Sequence, residues 1–402
     1  MTWAAREPLL DGYDVVCIGG AMTGSSTAYF LAENPDFSGT VLVVEPDWTY
    51  DRAATTRAHN SIREQFTNPL NIALSQFGIE FISRFHDNVQ VDGSSPNLDF
   101  RGTGYLFVAS DEEHFDRLER ESSIQLEHGA QVEMLRAAQV AERCPYMDTA
   151  HLVGARIGSV REGSFDGWAL FQGIRQRAIH RGVTFVHDEV VGLDVRAGRV
   201  DAVELASGRS VACGAVVNAA GVRARRIASM VGLDLPVEPR ARTTFVFGCR
   251  TPIEEIVPLT ILPEGVHFRR DQHHFLCGTV PIDDHAVDDD DLEIRHDEFE
   301  DRIWPAIARY VPVFDEVGIV TSWGGQYDYN TLDHNLVIGP SSQVVNFHFA
   351  NGFSGHGLQQ GPAVGRGLSE LLTYGEFRTI DLRPLGYDRI TRNEPILEGA
   401  VI

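Results

Sequence analysis

The chain contains no lysine: all 34 of its basic residues are arginine. That absence removes whole mechanisms. A Schiff-base lysine, a lysine general base and an ammonium beside a bound cofactor are all excluded. Arginine keeps its charge in proteins, so it clamps a carboxylate well and shuttles protons badly. Cysteine is scarce too. Cys17, Cys144, Cys213, Cys249 and Cys277 are scattered, with no C-x-x-C pair, which points to buried free thiols and a cytoplasmic setting. No apolar run approaches the ~20 residues that span a bilayer, and Met1 to Glu7 lacks the basic-then-apolar layout of a signal peptide. Positive charge is outweighed everywhere: 57 acidic residues leave a formal net charge of −23. Such a surface repels phosphates, which argues against nucleic acid and anionic membranes as partners. The densest acidic run, Asp283 to Asp291, lacks the glycine and ligand spacing of a calcium loop. It reads as a solvated loop, and no metal site is expected.

What the chain does have is concentrated between Tyr13 and Glu45. An apolar run, Val15-Val16-Cys17-Ile18, turns at Gly19-Gly20-Ala21-Met22-Thr23-Gly24. A helix is expected from Ser25 to Glu33, and a second apolar run, Thr40 to Val44, ends on Glu45. Strand, glycine turn, helix, strand and acid is the layout of a dinucleotide-binding βαβ unit. Gly19 permits the tight turn and Gly24 lets helix and strand pack closely. The helix N-terminus offers N–H groups to a pyrophosphate. Glu45 stands at about the ~20-residue offset from which a carboxylate accepts hydrogen bonds from a ribose. Ala21 occupies the second glycine position of the pattern, and its methyl crowds the approach to phosphate.

At 402 residues the chain exceeds the usual ~100–200 residues of one domain, so two are expected. The polar stretch Ala53 to Phe66 reads as a loop before a helix from Pro69 to Phe85. Asp111 to Gly129 and Trp168 to Arg181 read as helices; Gly104 to Ala109, Val183 to His187 and Gly198 to Leu205 read as strands. Ala215 to Gly221 repeats the theme of a buried strand running into glycine. Thr243 to Gly248, Gly265 to Arg269 and His274 to Val280 read as a separate antiparallel sheet. The tail alternates a strand, Val344 to Ala350, a glycine turn, Asn351 to Gly357, and a helix, Pro362 to Tyr374.

Val15 to Glu45 together with Ala215 to Gly221 resembles the FAD-binding frame of the D-amino-acid oxidase superfamily. The tail Gly352-Phe353-Ser354-Gly355-His356-Gly357-Leu358-Gln359-Gln360-Gly361-Pro362 is similar to the flavin-contacting loop of sarcosine oxidases and dimethylglycine dehydrogenases. Ser61 to Phe66, Gly265 to Arg270 and Gln326 to Thr331 resemble a group that includes the mitochondrial complex I assembly FAD oxidoreductase and its bacterial relatives. The resemblance implies a mixed α/β and α+β fold. A Rossmann-like FAD domain of the glutathione-reductase type (12–95, 150–228 and 326–390) is interleaved with an antiparallel-sheet substrate domain (96–149 and 229–325). It implies FAD, held noncovalently. The expected contacts are Gly19, Gly20, Ala21, Met22, Thr23, Gly24, Glu45 and Pro46, then Thr55, Thr56 and Arg57 in the following loop, then Val190, Ala219, Ala220 and Gly221, and finally Gly325, Gly352, Gly355, His356, Gly357, Leu358 and Gln359. Amide donors in the last turn suit the negative charge that a reduced flavin carries.

The family's chemistry implies the substrate side. Arg63 matches the arginine that holds a substrate carboxylate, because guanidinium and carboxylate pair bidentately. The family's second carboxylate partner, a lysine, is Gln359 here, so Arg269 or Arg270 is the substitute, with Tyr329 beside it. The oxygen-activating lysine is matched by Leu276, which predicts slow turnover with oxygen, with Arg269 or a protonated histidine as candidates to restore that charge. The cysteine that binds flavin covalently would fall near Gln326 and is absent; His59 lies in a loop where relatives attach flavin, but its surroundings do not match. His356, His267 and Tyr327 are the catalytic candidates, a histidine near its ordinary pKa taking the ammonium proton before hydride passes to flavin N5. The expected activity is oxidation of the C–N bond of a secondary or N-substituted amino acid. The alternatives are a 2-hydroxyacid dehydrogenase or an assembly factor with structural FAD. A small amino-acid-like substrate is the expected partner, with an electron-acceptor protein or a second copy of the chain as further candidates.

Overall fold

Buried apolar runs of five to nine residues, too short for helices, assemble into parallel strands covered on both faces. The computed structural model describes residues 7–400, so most of the stretch read for a leader, 1–6, lies outside the described residues. Strand Gly12–Ile18 is central. It pairs in parallel with Val41–Glu45 on one side and Ser210–Asn218 on the other. Beyond these, Thr184–His187 extends the parallel array past Val41–Glu45, and Phe347–Asn351 extends it past Ser210–Asn218. Val337–Pro340 closes that edge in antiparallel, and the hairpin Val190–Arg196 with Arg199–Leu205 branches off Ser210–Asn218. Because the strands run in parallel, the ends at Ile18, Glu45, Asn218 and Asn351 open on one edge, where such sheets bind ligands.

Helix Met22–Glu33 starts three residues before the expected Ser25, directly out of the glycine turn with Ala21 as its N-cap. Gly19 adopts φ +98, and a Cβ there would meet the Ala219 carbonyl oxygen at 2.4 Å; only glycine allows the two turns to touch. The tail helix begins at Gly357 rather than Pro362, so Pro362 sits inside it. Packing overrides the proline: Gly361 and Gly365 lie against Met22 and Ser26 of the first helix, where added Cβ atoms would come within 2.6 and 2.5 Å.

The second eight-stranded sheet runs in the order Val317–Asn330, Val237–Cys249, His274–Thr279, Val266–Asp271, Leu259–Ile261, Tyr105–Ala109, Gly154–Gly158, Val132–Arg136. It is antiparallel except where Leu259–Ile261 meets Tyr105–Ala109. Two features depart from the expected division of the chain. Gly154–Gly158 belongs to this sheet, because it pairs with Tyr105–Ala109 and Val132–Arg136. Val317–Asn330 is one continuous strand paired along Val237–Cys249, so no boundary falls at 325/326. The stretch Ala53 to Phe66 holds a helical turn, Ala54–Arg57, and a short strand, Ser61–Ile62.

Gly24 tests the packing of the turn. A Cβ there would sit 1.9 Å from the Gly19 carbonyl oxygen, so backbone must move. Gly24→Ala is expected to destabilise the protein by about 1–3 kcal/mol, the range for overpacking, read as a lowered midpoint in urea. An unchanged midpoint would show that the turn has slack.

Candidate active site

The strand ends, the loop 52–63 and the tail turn enclose a cavity of about 290 Å³. At one end the α-helix N-terminus presents Ala21, Met22 and Thr23, with Gly19 beneath and Thr55 opposite; the Met22 N–H is met by Thr55 Oγ1 at 3.2 Å. Glu45 and Pro46 continue the wall, followed by Val190 and the turn Ala219-Ala220-Gly221. The Glu45 carboxylate accepts the Gly20 N–H at 2.8 Å through Oε2 and the Asp47 N–H at 2.8 Å through Oε1. Burial pushes its pKa up, against these two hydrogen bonds. Arg57, Gly325, Gly355, His356, Gly357, Leu358 and Gln359 line the rest of the same cavity, with Arg63, His267 and Tyr327. The two glycine turns, more than 300 residues apart in the chain, therefore border one space.

Other expected contacts act behind this surface. Gly20 spends its N–H on Glu45. Gly24 packs on Gly19. Thr56 Oγ1 donates to Tyr50 and Ala53 carbonyls and fixes the loop. Gly352, at φ +73, donates its N–H to Asp328 Oδ2 at 2.9 Å and so shapes the tail turn. Burial raises Asp328 to about 6, opposed by the backbone donors of Phe353 and Gly352. Gly355 lies over Tyr327, where a Cβ would strike the ring at 2.6 Å.

The substrate-side expectations need more correction. Arg63 lines the cavity but is 2% exposed. Its guanidinium donates to the Gln65 and Ala400 carbonyls, contacts His356 Nε2 at 3.1 Å, and lies 4.2 Å over the Phe66 ring. Arg269 faces a second cavity, with Arg57, Arg101, Asp271, Leu276 and Trp323. The reason is register: His267 pairs with Gly278 at the first cavity, and two residues on, the Arg269–Leu276 pair falls past the loop 57–60. Leu276, matched to the missing lysine, is thus on the far side. Arg270 turns the other way, to the Ile253 carbonyl and the Phe275 ring. Tyr329 packs tilted against His334, with the Arg240 guanidinium over its ring, outside the cavity. Neither histidine sits near its ordinary pKa. Burial, with Arg242 and Arg269, lowers His267 to about 4; burial and Arg63 hold His356 well below the usual range.

Several cavity residues escaped the sequence reading. Arg242 lines it, pairs bidentately with Asp284 at 2.7 and 3.0 Å, and lies 4.8 Å over Tyr327. Arg240, Arg242 and Thr244 alternate on one strand face, a period-two signal hidden by starting that strand at Thr243. The run Asp283–Asp291 forms a loop with no buried residue, as expected, but some of its acids meet arginines of the cavity. Asp289 pairs with Arg223 and Asp290 with Arg52, both cavity residues, at 3.1 and 3.6 Å, and Gln326 Nε2 donates to the Asp288 and Asp291 carbonyls. Among the described residues, no group of His, Cys, Asp and Glu is placed to hold a metal, and no helix is long and apolar enough to cross a membrane.

The arrangement fits a dinucleotide: helix N–H groups and a buried carboxylate at one end, a glycine turn at the other, and continuous space between. Comparison with known proteins agrees. Residues 14–371 match the family model for FAD dependent oxidoreductase, DAO. The chain is 36% identical to "FAD-dependent oxidoreductase domain-containing protein 1" of Xenopus laevis, across 97% of this chain and 85% of that protein. It is 26% identical to "Sarcosine oxidase subunit beta" of Rhizobium meliloti (strain 1021), across 93% of this chain and 87% of that protein. The L-proline dehydrogenase of P. horikoshii shares the fold, with a TM-score of 0.85 at 24% identity over 96% of this chain and 100% of that one.

Glu45→Gln replaces one acceptor with an amide NH2 that faces a backbone donor. A hydrogen bond to a charged group contributes ~1.5–3 kcal/mol, so the variant is expected to bind FAD about tenfold or more weakly, read by titrating apoprotein fluorescence. Unchanged affinity would remove Glu45 from the cofactor site.

Proposed function

The chain belongs to the DAO family of FAD-dependent oxidoreductases, and from that premise we propose that it oxidises the C–N bond of a secondary or N-substituted amino acid of the sarcosine, dimethylglycine or iminodiacid type. The observation that carries this reading is the polarity of the cavity wall around Tyr327. Arg242 lies on the Tyr327 ring, and the charges of Arg242 and Arg63 both lower the Tyr327 pKa, against the larger upward effect of burial. Of these two guanidiniums, Arg63 meets carbonyls and an imidazole rather than a carboxylate, and so suits a substrate carboxylate. The imidazoles of His267 and His356, held neutral, suit the uncharged amine that hydride loss requires. Sarcosine and proline, for which two of the similar proteins are named, are both secondary amino acids.

FAD supplies the hydride acceptor. The residues of this chain bind and orient. Arg63 receives the carboxylate, Arg242 is held on Asp284 and packs on Tyr327, Tyr327 and Gln359 border the substrate, and neutral His356 accepts from the Arg63 guanidinium through Nε2 and so keeps that cation in place. The cofactor is held noncovalently: the cysteine that a thioether needs would fall near Gln326 and is absent, and both ring nitrogens of His59 are engaged, with His267 and Thr244 at 2.8 Å. Five free thiols, Cys17, Cys144 and Cys277 buried, support a reducing, cytoplasmic setting. Electrons leave slowly to oxygen. No lysine exists to stabilise superoxide-like charge, and the nearest new cation, Arg242, is neutralised by Asp284.

Anaerobic mixing with a panel of N-alkyl amino acids is expected to bleach the flavin, with reoxidation by air at least about tenfold slower than by a dye acceptor, a ~1.4 kcal/mol barrier difference. Acid is expected to release the yellow colour. Bleaching by 2-hydroxyacids alone would select C–OH oxidation, and no bleaching by either class would leave the flavin structural.

A further inference from the structure

We propose that His267, His59 and Thr244 form a neutral proton relay whose inner end, His267 Nδ1, takes a proton from the substrate ammonium; the assignment rests on the amine reading above. The residues come from separate elements, the loop 58–60 and the strands Val237–Cys249 and Val266–Asp271, yet all line the cavity. His267 Nε2 lies 2.8 Å from His59 Nδ1, and His59 Nε2 lies 2.8 Å from Thr244 Oγ1. His267 Nδ1 is buried without a hydrogen-bond partner. Such a group costs ~1–3 kcal/mol, a cost that a ligand group reaching it would remove. The Arg269 Nε–H donates to the His59 carbonyl at 2.9 Å and holds the loop in register.

The chemistry follows from one constraint. Burial keeps both rings uncharged, helped by Arg242 and Arg269 at His267 and by His267 and Arg269 at His59, so each carries one N–H. A contact of 2.8 Å between two ring nitrogens holds one hydrogen, neither two nor none. The rings must therefore share the same tautomer. With both in the Nε2–H form, His267 Nδ1 is a lone pair and His59 donates to Thr244. With both in the Nδ1–H form, His267 Nδ1 is a donor and the Thr244 hydroxyl donates to His59. Moving from the first state to the second transfers one proton. The ammonium N–H breaks as His267 Nδ1–H forms. His267 Nε2–H breaks as His59 Nδ1–H forms, and His59 Nε2–H breaks as a Thr244 O–H forms. The original Thr244 proton leaves to cavity water. The substrate keeps its electron pair as a neutral amine, and neither ring holds two protons at the end of the transfer. Once product has left, cavity water takes the His267 Nδ1 proton while Thr244 regains one from water, and this reverse shift resets the relay. A lone histidine lowered to about 4 would be a poor base; the relay passes the proton on instead of storing it. His267 is thus a catalytic residue, and His59 and Thr244 act through it as positioning residues.

The test uses the holoenzyme. Nitrogen-15 NMR of histidine-labelled protein is expected to show His59 and His267 neutral and in matched tautomers. Methoxyacetate, with an ether oxygen in place of the amine, should drive both to the Nδ1–H form together. His59→Gln and Thr244→Val are expected to slow flavin reduction by an N-alkyl amino acid at least about tenfold at saturation, and Thr244→Ser to recover most of the rate lost in Thr244→Val. A doubly protonated ring, unmatched tautomers, or variants slowed less than about twofold would overturn the relay. Failure of every N-alkyl amino acid to reduce the unmodified protein would overturn the amine reading instead, while the tautomer measurement still decides whether the two rings are coupled.

Discussion

The site depends on the close approach of the helices Met22–Glu33 and Gly357–Tyr374. Each helix starts from a glycine turn, so the distance between their first turns sets the distance between the walls of the cavity. Gly361 and Gly365 make that distance short. Side chains there would meet Met22 and Ser26 at 2.6 and 2.5 Å, and interiors packed to crystal-like density have no slack to absorb them. The Ser369 hydroxyl donates to the Phe30 carbonyl at 2.9 Å, and Asn34 Nδ2 donates to Thr373 Oγ1 at 3.1 Å. Those bonds hold the far ends of the same pair. A proline inside the tail helix is tolerated because tertiary contact, rather than an unbroken ladder of backbone bonds, holds that turn.

A strongly acidic chain has built a cavity lined with cations, and it does so by burying arginine in networks. Arg63 rests on carbonyls, an aromatic face and a neutral imidazole. Behind it, Gln65 donates to Glu162 at 2.7 Å and accepts from Arg156 Nε at 2.7 Å, and Arg156 Nη1 reaches Glu121 at 2.9 Å. Glu162, buried and opposed only by hydrogen bonds and a distant cation, is raised to about 7. Buried charges survive only when such partners satisfy them, so Arg63 is held stiffly. The acidic surface has a second use at the mouth. Asp284, Asp289 and Asp290 neutralise Arg242, Arg223 and Arg52, and the loop that carries them is stitched to Gln326 and to the Pro239 carbonyl. The Arg242–Asp284 pair, with side chains 9% and 20% exposed, contributes more than the solvent-screened outer pairs.

The sequence by itself determined the local pieces. The first βαβ unit, the acid at Glu45, the strand running into Ala219-Ala220-Gly221 and the Gly-His-Gly turn are all legible, because glycine geometry and buried-strand patterning act over a few residues. Family likeness then carried the fold class and the cofactor. What only the tertiary structure decided was facing. Arg269 and His267 sit two residues apart on one strand, yet a loop crossing between them sends one to each of two cavities. Arg242 enters the site because strand Val237–Cys249 begins six residues earlier than its apolar core suggests. The acids of 283–291 are as solvated as they read, but which arginines they meet is set only when the loop is placed opposite them. His59 and His267 lie more than 200 residues apart. No pattern along the chain records that their rings touch, since that contact is set by the strand register and loop path that only the folded sheet establishes.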